Sequence, residues 1–265
     1  MKVAIITNCY EHSKELGKQL TAMLTDRHVL IDEKNPDIVL TIGGDGTLLY
    51  AFHHYEQKLN QLRFIGIHTG NLGFYTDWRE CELQELVTAL INEDGQSIDY
   101  PLLEVELCFK NRDTVVRTAL NEVTVRRINH TVKADVYIND YHFERFRGDG
   151  LVLSTPTGST GYNKSLGGAV MPPTLDLFQL TEMAPLNNRV YHTFGSPIIL
   201  TCKDTVCLKL ATALDYVITI DNEAYPLEQL QSLKVKVSDK RIRFMRHRHL
   251  PFWTRVSQSF LGEIQ

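Results

Sequence analysis

No apolar run in this sequence approaches the ~20 positions that a membrane-crossing helix requires, so neither a membrane span nor a membrane partner is expected. The opening stretch, Met1 to Asn8, is too short to be the apolar core of a secretory signal and reads instead as a first strand, consistent with a cytoplasmic protein. A basic excess is also missing. Lys and Arg total 28 against 32 Asp and Glu, a net charge of -4, which argues against the basic stripe of a nucleic-acid binder. Cysteine is sparse: Cys9, Cys81, Cys108, Cys202 and Cys207 are odd in number and scattered, with no C-x-x-C pair. That pattern indicates neither a disulfide framework nor a zinc site and suits a reducing compartment. Two phosphate-binding signatures are absent as well, because no G-x-x-x-x-G-K-[ST] run and no complete G-x-G-x-x-G fingerprint occurs.

What the chain does have is 265 residues with 43% hydrophobic content, enough for one large domain or two modest ones. Val3 to Thr7, His28 to Ile31, Ile38 to Ile42 and Phe64 to Ile67 are short apolar runs suited to buried strands. Between them, Leu16, Leu20, Met23 and Leu24 share one helical face, as do Leu48, Leu49, Phe52 and Tyr55. Leu83, Leu86, Val87, Leu90 and Ile91 form a third such face. Strands alternating with helices predict parallel βαβ units over residues 1–100. Beyond Pro101 the texture becomes strand-rich: Leu102 to Phe109, Val115 to Val125, Val132 to Ile138 and His142 to Phe146, with Asn139-Asp140 as a hairpin turn. Further strands are expected over Val206 to Leu210, Val217 to Ile220, Lys234 to Val237 and Ile242 to Met245, with one helix around Leu175 to Met183. A β-rich domain over residues 101–250 and a closing amphipathic helix within 251–265 complete the organisation. The Arg-rich run Arg241 to His249 alternates with Ile and Phe and reads as a strand with one solvated face.

The most informative stretch is Asp37-Ile38-Val39-Leu40-Thr41-Ile42-Gly43-Gly44-Asp45-Gly46-Thr47. It reads as a buried strand, a tight turn and a helix start, which places Asp45 at the carboxyl end of a parallel strand, where open α/β sheets bind ligands. The free N–H groups of the following helix favour phosphate, and an acid beside a phosphate cradle suits phosphoryl transfer with Asp45 as general base. Taken alone, G-G-D-G is equally a sharp strand-to-helix turn with an acidic first residue. Three further stretches carry polar groups in glycine-rich or apolar settings. His68-Thr69-Gly70-Asn71-Leu72-Gly73-Phe74 follows a strand as the first motif does. Asn121-Glu122 interrupts a β-branched run, where buried polar groups require partners. Thr155-Pro156-Thr157-Gly158-Ser159-Thr160-Gly161-Tyr162 packs hydroxyls, glycines and one aromatic ring into a short loop, suited to hydrogen bonding a nucleoside and stacking its base.

Gly43 to Thr47 resembles the signature of a kinase superfamily that contains NAD kinases, diacylglycerol and sphingosine kinases and 6-phosphofructokinases. The Leu-Gly-Phe loop, the Asn121-Glu122 pair and the Thr155 to Tyr162 loop narrow the resemblance to NAD kinases. Phe143 to Gly150 and Pro251-Phe252-Trp253 look like the branch found in Gram-positive bacteria. One departure is Gly161, where the family commonly has Ala. The resemblance covers essentially the whole chain. It implies an α/β N-terminal domain with a parallel, Rossmann-like sheet, a β-sandwich second domain and a C-terminal helix returning to the first. It also implies an ATP-dependent kinase that phosphorylates the 2′-hydroxyl of the adenosine ribose of NAD, giving NADP.

Carried over by position, Asp45 is the general base. Gly44, Gly46, Leu49 and Phe74 line the phosphate side, while Asn121, Glu122, Thr157, Thr160, Gly161 and Tyr162 hold the adenosine with Ser165 nearby. Arg147, Asp149 and Ala184 complete the site, in part across a subunit contact, and Asn222 approaches the ribose, with Tyr191 a weaker candidate. The same resemblance implies a divalent cation, Mg²⁺, bridging the ATP phosphates and a homodimer or homotetramer. A lipid kinase with the same Gly-Gly-Asp-Gly loop is the rival within this chemistry, and a non-catalytic nucleotide sensor is the rival outside it.

Overall fold

The computed structural model describes residues 1–70, 72–110, 113–211, 216–226 and 230–262. Asn71, within the second expected loop, lies outside the described residues, as do the last three positions of the expected closing segment. The chain forms two compact units, one of residues 1–100 with 241–265 and one of residues 101–240.

The first unit is built on β1 (Lys2–Thr7), α1 (Glu11–Asp26), β2 (Leu30–Ile31), β3 (Ile38–Gly43), α2 (Asp45–His54), β4 (Arg63–His68), β5 (Trp78–Arg79) and α3 (Leu83–Ile91). Its strands pair in parallel in the order β4-β3-β1-β2, with Leu40 opposite both Ile5 and Ile65. Every residue of β3 is buried, as a central parallel strand covered on both faces must be, and this explains its unbroken apolar run. Leu20 and Leu24 of α1 and Leu86, Val87 and Leu90 of α3 close over Ile38, Leu40 and Ile42. Truncating one such side chain to Ala costs about 2–5 kcal/mol.

The second unit contains β6 (Ser97–Phe109, entering from the first), β7 (Val115–Ala119), β8 (Glu122–Arg127), β9 (Val132–Ile138), β10 (Tyr141–Gly148), β11 (Gly150–Ser154), α4 (Tyr162–Ser165), β12 (Leu177–Met183), β13 (Ile198–Thr201), β14 (Val206–Leu210), β15 (Tyr216–Ile220), β16 (Glu223–Pro226) and β17 (Leu230–Met245, leaving towards the first). One antiparallel sheet runs β13-β12-β11-β8-β15-β16. The other holds β10-β9-β14-β17 together with the β6-β7 hairpin. Inward residues of both, such as Val125, Leu153, Phe178 and Ile218 against Val105, Val136, Leu208 and Val235, form one core. The result is a β-sandwich. Asn139 and Asp140 have φ of 51° and 65°, the paired left-handed geometry of a tight hairpin turn, and they join β9 to β10 as expected.

Three expectations are corrected, the first being that the strands expected over Lys234 to Val237 and Ile242 to Met245 are one, β17. Leu175 to Met183 is not a helix; Leu177–Met183 is strand β12, paired with β11 and β13. Its core face is Phe178 and Leu180, but Gln179 and Thr181 on the opposite face are buried too, bonded to Ala169 and Asn163. Burial on both faces erased the alternation that marks a half-exposed strand. The single strand expected over Val115 to Val125 is two, β7 and β8, which belong to different sheets. The chain breaks at Leu120-Asn121, where the polar pair begins.

Candidate active site

In the first unit, β3 stops at Gly43, whose φ of 151° only glycine adopts readily. Gly44 caps α2, and Asp45 is the first helical residue. A Cβ on Gly44 or on Gly46 would meet nothing within 4 Å. Their bareness is therefore not demanded by internal packing, and it leaves the backbone N–H groups of the helix start open to an anion. Asp45 is half-buried and already held: Oδ2 accepts the Phe74 N–H at 2.8 Å and Oδ1 the Tyr75 N–H at 3.0 Å. A Cβ on Gly73 would collide with Oδ1, so that glycine is required for the loop to reach the carboxylate. Leu49 is 8% exposed and belongs to the core, whereas Phe74 is half-buried with its ring 5.7 Å from that of Phe260.

In the second unit, the turn Leu120-Asn121-Glu122 is gripped from two sides. The Asp221 carboxylate accepts the N–H groups of Leu120 (2.9 Å), Asn121 (2.6 Å) and Glu122 (3.1 Å). Thr155 Oγ1 donates to the Leu120 carbonyl at 2.6 Å, as does Thr157 Oγ1 at 2.9 Å. The turn and the Thr155 to Tyr162 loop are in close contact, for a Cβ on Gly158 would strike the Asn121 backbone. The Glu122 Oε2 is buried and has no hydrogen-bond partner. Burial first, and then the nearby Asp221 charge, push its carboxyl up to about 8.

The hydroxyls of the loop are largely spent on the protein itself. Thr160 Oγ1 donates to the Thr157 carbonyl, and Ser159 Oγ donates to the Pro156 carbonyl and accepts the Met171 N–H. What the loop offers outward is Gly161, Ser165 and Tyr162, whose side group is 38% exposed with its hydroxyl 3.6 Å from Met183 Sδ. Arg147 stacks its guanidinium 4.5 Å from the Tyr191 ring centre, bonds the Tyr191 hydroxyl and donates to Thr131 Oγ1. Asp149 donates its N–H to the Met183 carbonyl, and the next residue along, Ala184, is exposed with a left-handed φ of 42°. Asn222 is exposed beside Asp221.

Sequence reasoning passed over Asp221 in favour of Asn222 and passed over Asp77 and Arg255 entirely. It read His249 into a strand with a solvated face, whereas β17 ends at Met245 and the His249 side chain is only 7% exposed. Asp77 lies at the end of the Phe74 loop and pairs with both of the others. An amphipathic helix carrying one Arg gives no sequence signal that this Arg faces inward. A cavity of ≈590 Å³ lies against α3, lined by Glu85, Ala89, Asn92, Met245 and His247 among others, and contains none of the expected site residues. Among the described residues, no group of three or more His, Cys, Asp or Glu side chains could hold a metal ion.

Residues 3–95 match the model of the ATP-NAD kinase N-terminal domain, and residues 120–247 that of the ATP-NAD kinase C-terminal domain. An NAD kinase of Enterococcus faecalis is 49% identical over 264 residues, covering 99% of this chain and all of that one. The chain belongs to the NAD kinase family. An NAD kinase of Lactococcus lactis subsp. cremoris, strain SK11, is 48% identical over the whole of this chain and 98% of its own. Such relatives belong to Gram-positive bacteria, the branch that the Phe143 to Gly150 and Pro251 to Trp253 stretches resemble. In three dimensions, yeast NADH kinase complexed with NADH superposes with a TM-score of 0.85 at 20% identity, over 99% of this chain and 87% of that one. An NAD kinase from Archaeoglobus fulgidus in complex with ATP gives 0.76 at 22% identity, over 97% and 98%. These two likenesses establish the shared fold of an α/β unit followed by a β-rich unit.

Proposed function

We propose that this NAD kinase family member transfers the terminal phosphoryl group of ATP to the 2′-hydroxyl of the adenosine ribose of NAD, with Asp45 as general base. The observation that carries the reading is the Asp45 carboxylate, fixed by the Phe74 and Tyr75 N–H groups between two glycines whose surroundings are open. Each carboxylate oxygen accepts one protein donor and keeps a lone pair for the substrate proton. The 2′-oxygen attacks the γ-phosphorus as Asp45 takes its proton; the bond from that phosphorus to the β,γ-bridging oxygen breaks, and ADP departs. Most of the acceleration comes from positioning and charge neutralisation. Gly44 and Gly46 let the phosphates approach the start of α2, with Leu49 beneath them in the core and Phe74 beside them.

Asn121 and Glu122 bind the nucleoside, and the partnerless Glu122 Oε2 accepts from a hydroxyl or amino donor. Tyr162 supplies the stacking face, with Gly161 and Ser165 at the open rim, while Thr157 and Thr160 act by holding the loop in shape. Arg147, Asp149, Ala184 and Asn222 complete the nucleotide contacts, with Tyr191 orienting the Arg147 guanidinium. In a homodimer or homotetramer, part of this set serves the neighbouring subunit. A divalent cation carried by ATP would neutralise phosphate charge. The protein works in the cytoplasm. The test is to incubate purified protein with NAD, ATP and Mg²⁺ and follow NADP with an NADP-specific dehydrogenase. Signal that depends on all three components supports the reading, and its absence with NAD still bound points to a sensor.

A further inference from the structure

Helix α5 (Phe252–Phe260) is a short C-terminal helix in which the one fully buried residue is a charged one, Arg255, at 2% exposure. Its neighbours on the helix are half-buried or exposed, so no continuous apolar stripe seats it. A buried guanidinium is costly to desolvate, and replacing a whole buried ion pair by apolar side chains of like volume is often neutral or stabilising. The structure therefore calls for another reason for the charge, and its contacts supply one.

Arg255 Nη1 donates to the carbonyl of Gly73 at 2.6 Å and to that of Thr76 at 2.8 Å, while Nη2 pairs with Asp77 Oδ1. Those two carbonyls flank the dipeptide Phe74-Tyr75, whose N–H groups hold the two oxygens of Asp45. Asp77 is fixed in turn by His249 Nδ1 at 2.8 Å from its Oδ2 and by the Leu250 N–H at 3.2 Å from its Oδ1, and Tyr100 bonds the other nitrogen of the His249 ring. Burial pushes the Asp77 carboxyl up, but the His249 hydrogen bond and the charges of His249 and Arg255 outweigh it and hold it low. The anion facing Arg255 is thereby kept ionised. Phe260, on the last turn of the same helix, lies against the Phe74 ring. The planar fork of Arg thus serves three acceptors at once, both carbonyls from Nη1 and Asp77 from Nη2, while the amides between those carbonyls hold the base.

We infer that Arg255 is a positioning residue for the general base: it sets the loop Gly73 to Asp77 so that the Phe74 and Tyr75 amides clamp the Asp45 carboxylate. The inference rests on the kinase reading above. Lys would keep the charge but has a single nitrogen, so it cannot hold both carbonyls and pair with Asp77 as the two nitrogens of Arg do.

The experiment compares Arg255→Lys and Arg255→Met with the wild-type enzyme by steady-state kinetics and by hydrogen exchange of the Phe74 and Tyr75 amides. For Arg255→Met, kcat is expected to fall ~10–100-fold, the scale of a misplaced catalytic group, with KM for NAD and ATP within about threefold. Arg255→Lys should lie between it and wild type, and both variants should exchange the two amides faster. Folded variants with wild-type kcat and unchanged exchange overturn the inference. So does a fall in kcat that merely follows the fraction of folded protein. Should Arg255→Met fail to fold, Arg255→Lys carries the same comparison. A wild-type protein with no NADP formation defeats the kinase reading instead. The exchange comparison then still decides whether Arg255 holds the loop, and unchanged amides in the variants reject that hold.

Discussion

Asp45 and Glu122 are both carboxylates that begin the element after a strand ends, and the protein treats them in opposite ways. Asp45 receives two backbone N–H donors and stays partly open to solvent. Glu122 has a buried oxygen with no donor and is pushed up to about 8 by burial and then by Asp221. In the second unit the backbone donors that would satisfy a carboxylate go to Asp221, which collects the N–H groups of Leu120, Asn121 and Glu122. In the proposed reaction, one carboxylate is thus held in place to accept a proton, and the other is left short of a donor that the ligand supplies. The contrast teaches that a general base needs fixed geometry, whereas a recognition group can be left unsatisfied in the free protein. An analogue lacking the missing donor would then leave Glu122 unpaired.

The largest expected break in this comparison comes from Asp45→Asn. Turnover should drop at least ~10²-fold while NAD binding, measured by calorimetry, is retained. Normal turnover in that variant would remove Asp45 from the role of base. Next come two glycines that press on the two carboxylate regions. Gly73→Ala drives a methyl into Asp45 Oδ1 and should lower kcat about 10–100-fold. Gly158→Ala drives one into the Asn121 backbone and should raise KM for NAD roughly tenfold with a smaller effect on kcat. Equal kinetic signatures from the two would erase the distinction between a base held for chemistry and a turn held for binding.

A pH measurement sharpens the same contrast. The Glu122 carboxyl binds its proton more tightly when folded (about 8) than its ordinary value of 4.5. The folded protein therefore holds a proton that the unfolded chain releases, and stability falls as pH rises from about 4.5 to about 8. Glu122→Gln lacks this titration, so urea unfolding should show it gaining on wild type across that window, by up to a few kcal/mol. Glu144, which burial pushes up to about 7 against the Phe194 N–H and with the Glu182 charge, titrates in the same range in both proteins. The difference between variant and wild type isolates Glu122. The smallest effect belongs to Gly161→Ala, which restores the residue common in the family. Its Cβ would sit 3.3 Å from the Gly158 carbonyl oxygen and 3.7 Å from Glu122 Oε2. Stability within about 0.5 kcal/mol and KM for NAD within about threefold are expected, read by thermal melting and kinetics.

Much of this was legible before any coordinates. Strand β3 and the turn after it were readable because a parallel strand buried on both faces is written as an unbroken apolar run ending in glycine. The Asn139-Asp140 hairpin was readable because few residues accept two successive left-handed φ angles. Strand β12 was not, since its outer face is covered and the period-two signal disappears. The Thr155 to Tyr162 loop was recognisable as a candidate site, but not that its hydroxyls face inward, because a hydroxyl looks the same in sequence whichever partner it takes.

By itself, the sequence determined the family and the order of an α/β unit before a β-rich one, and it marked the candidate motifs, all of which depend on local patterns along the chain. Only the tertiary structure decided who holds them. Asp221 lies about a hundred positions from the turn it grips, and Arg255 about 180 from the loop it spans. Partners at such separations are brought together by burial of the cores, and the hydrogen bonds that place a carboxylate are made there, where an unmet donor or acceptor is costly.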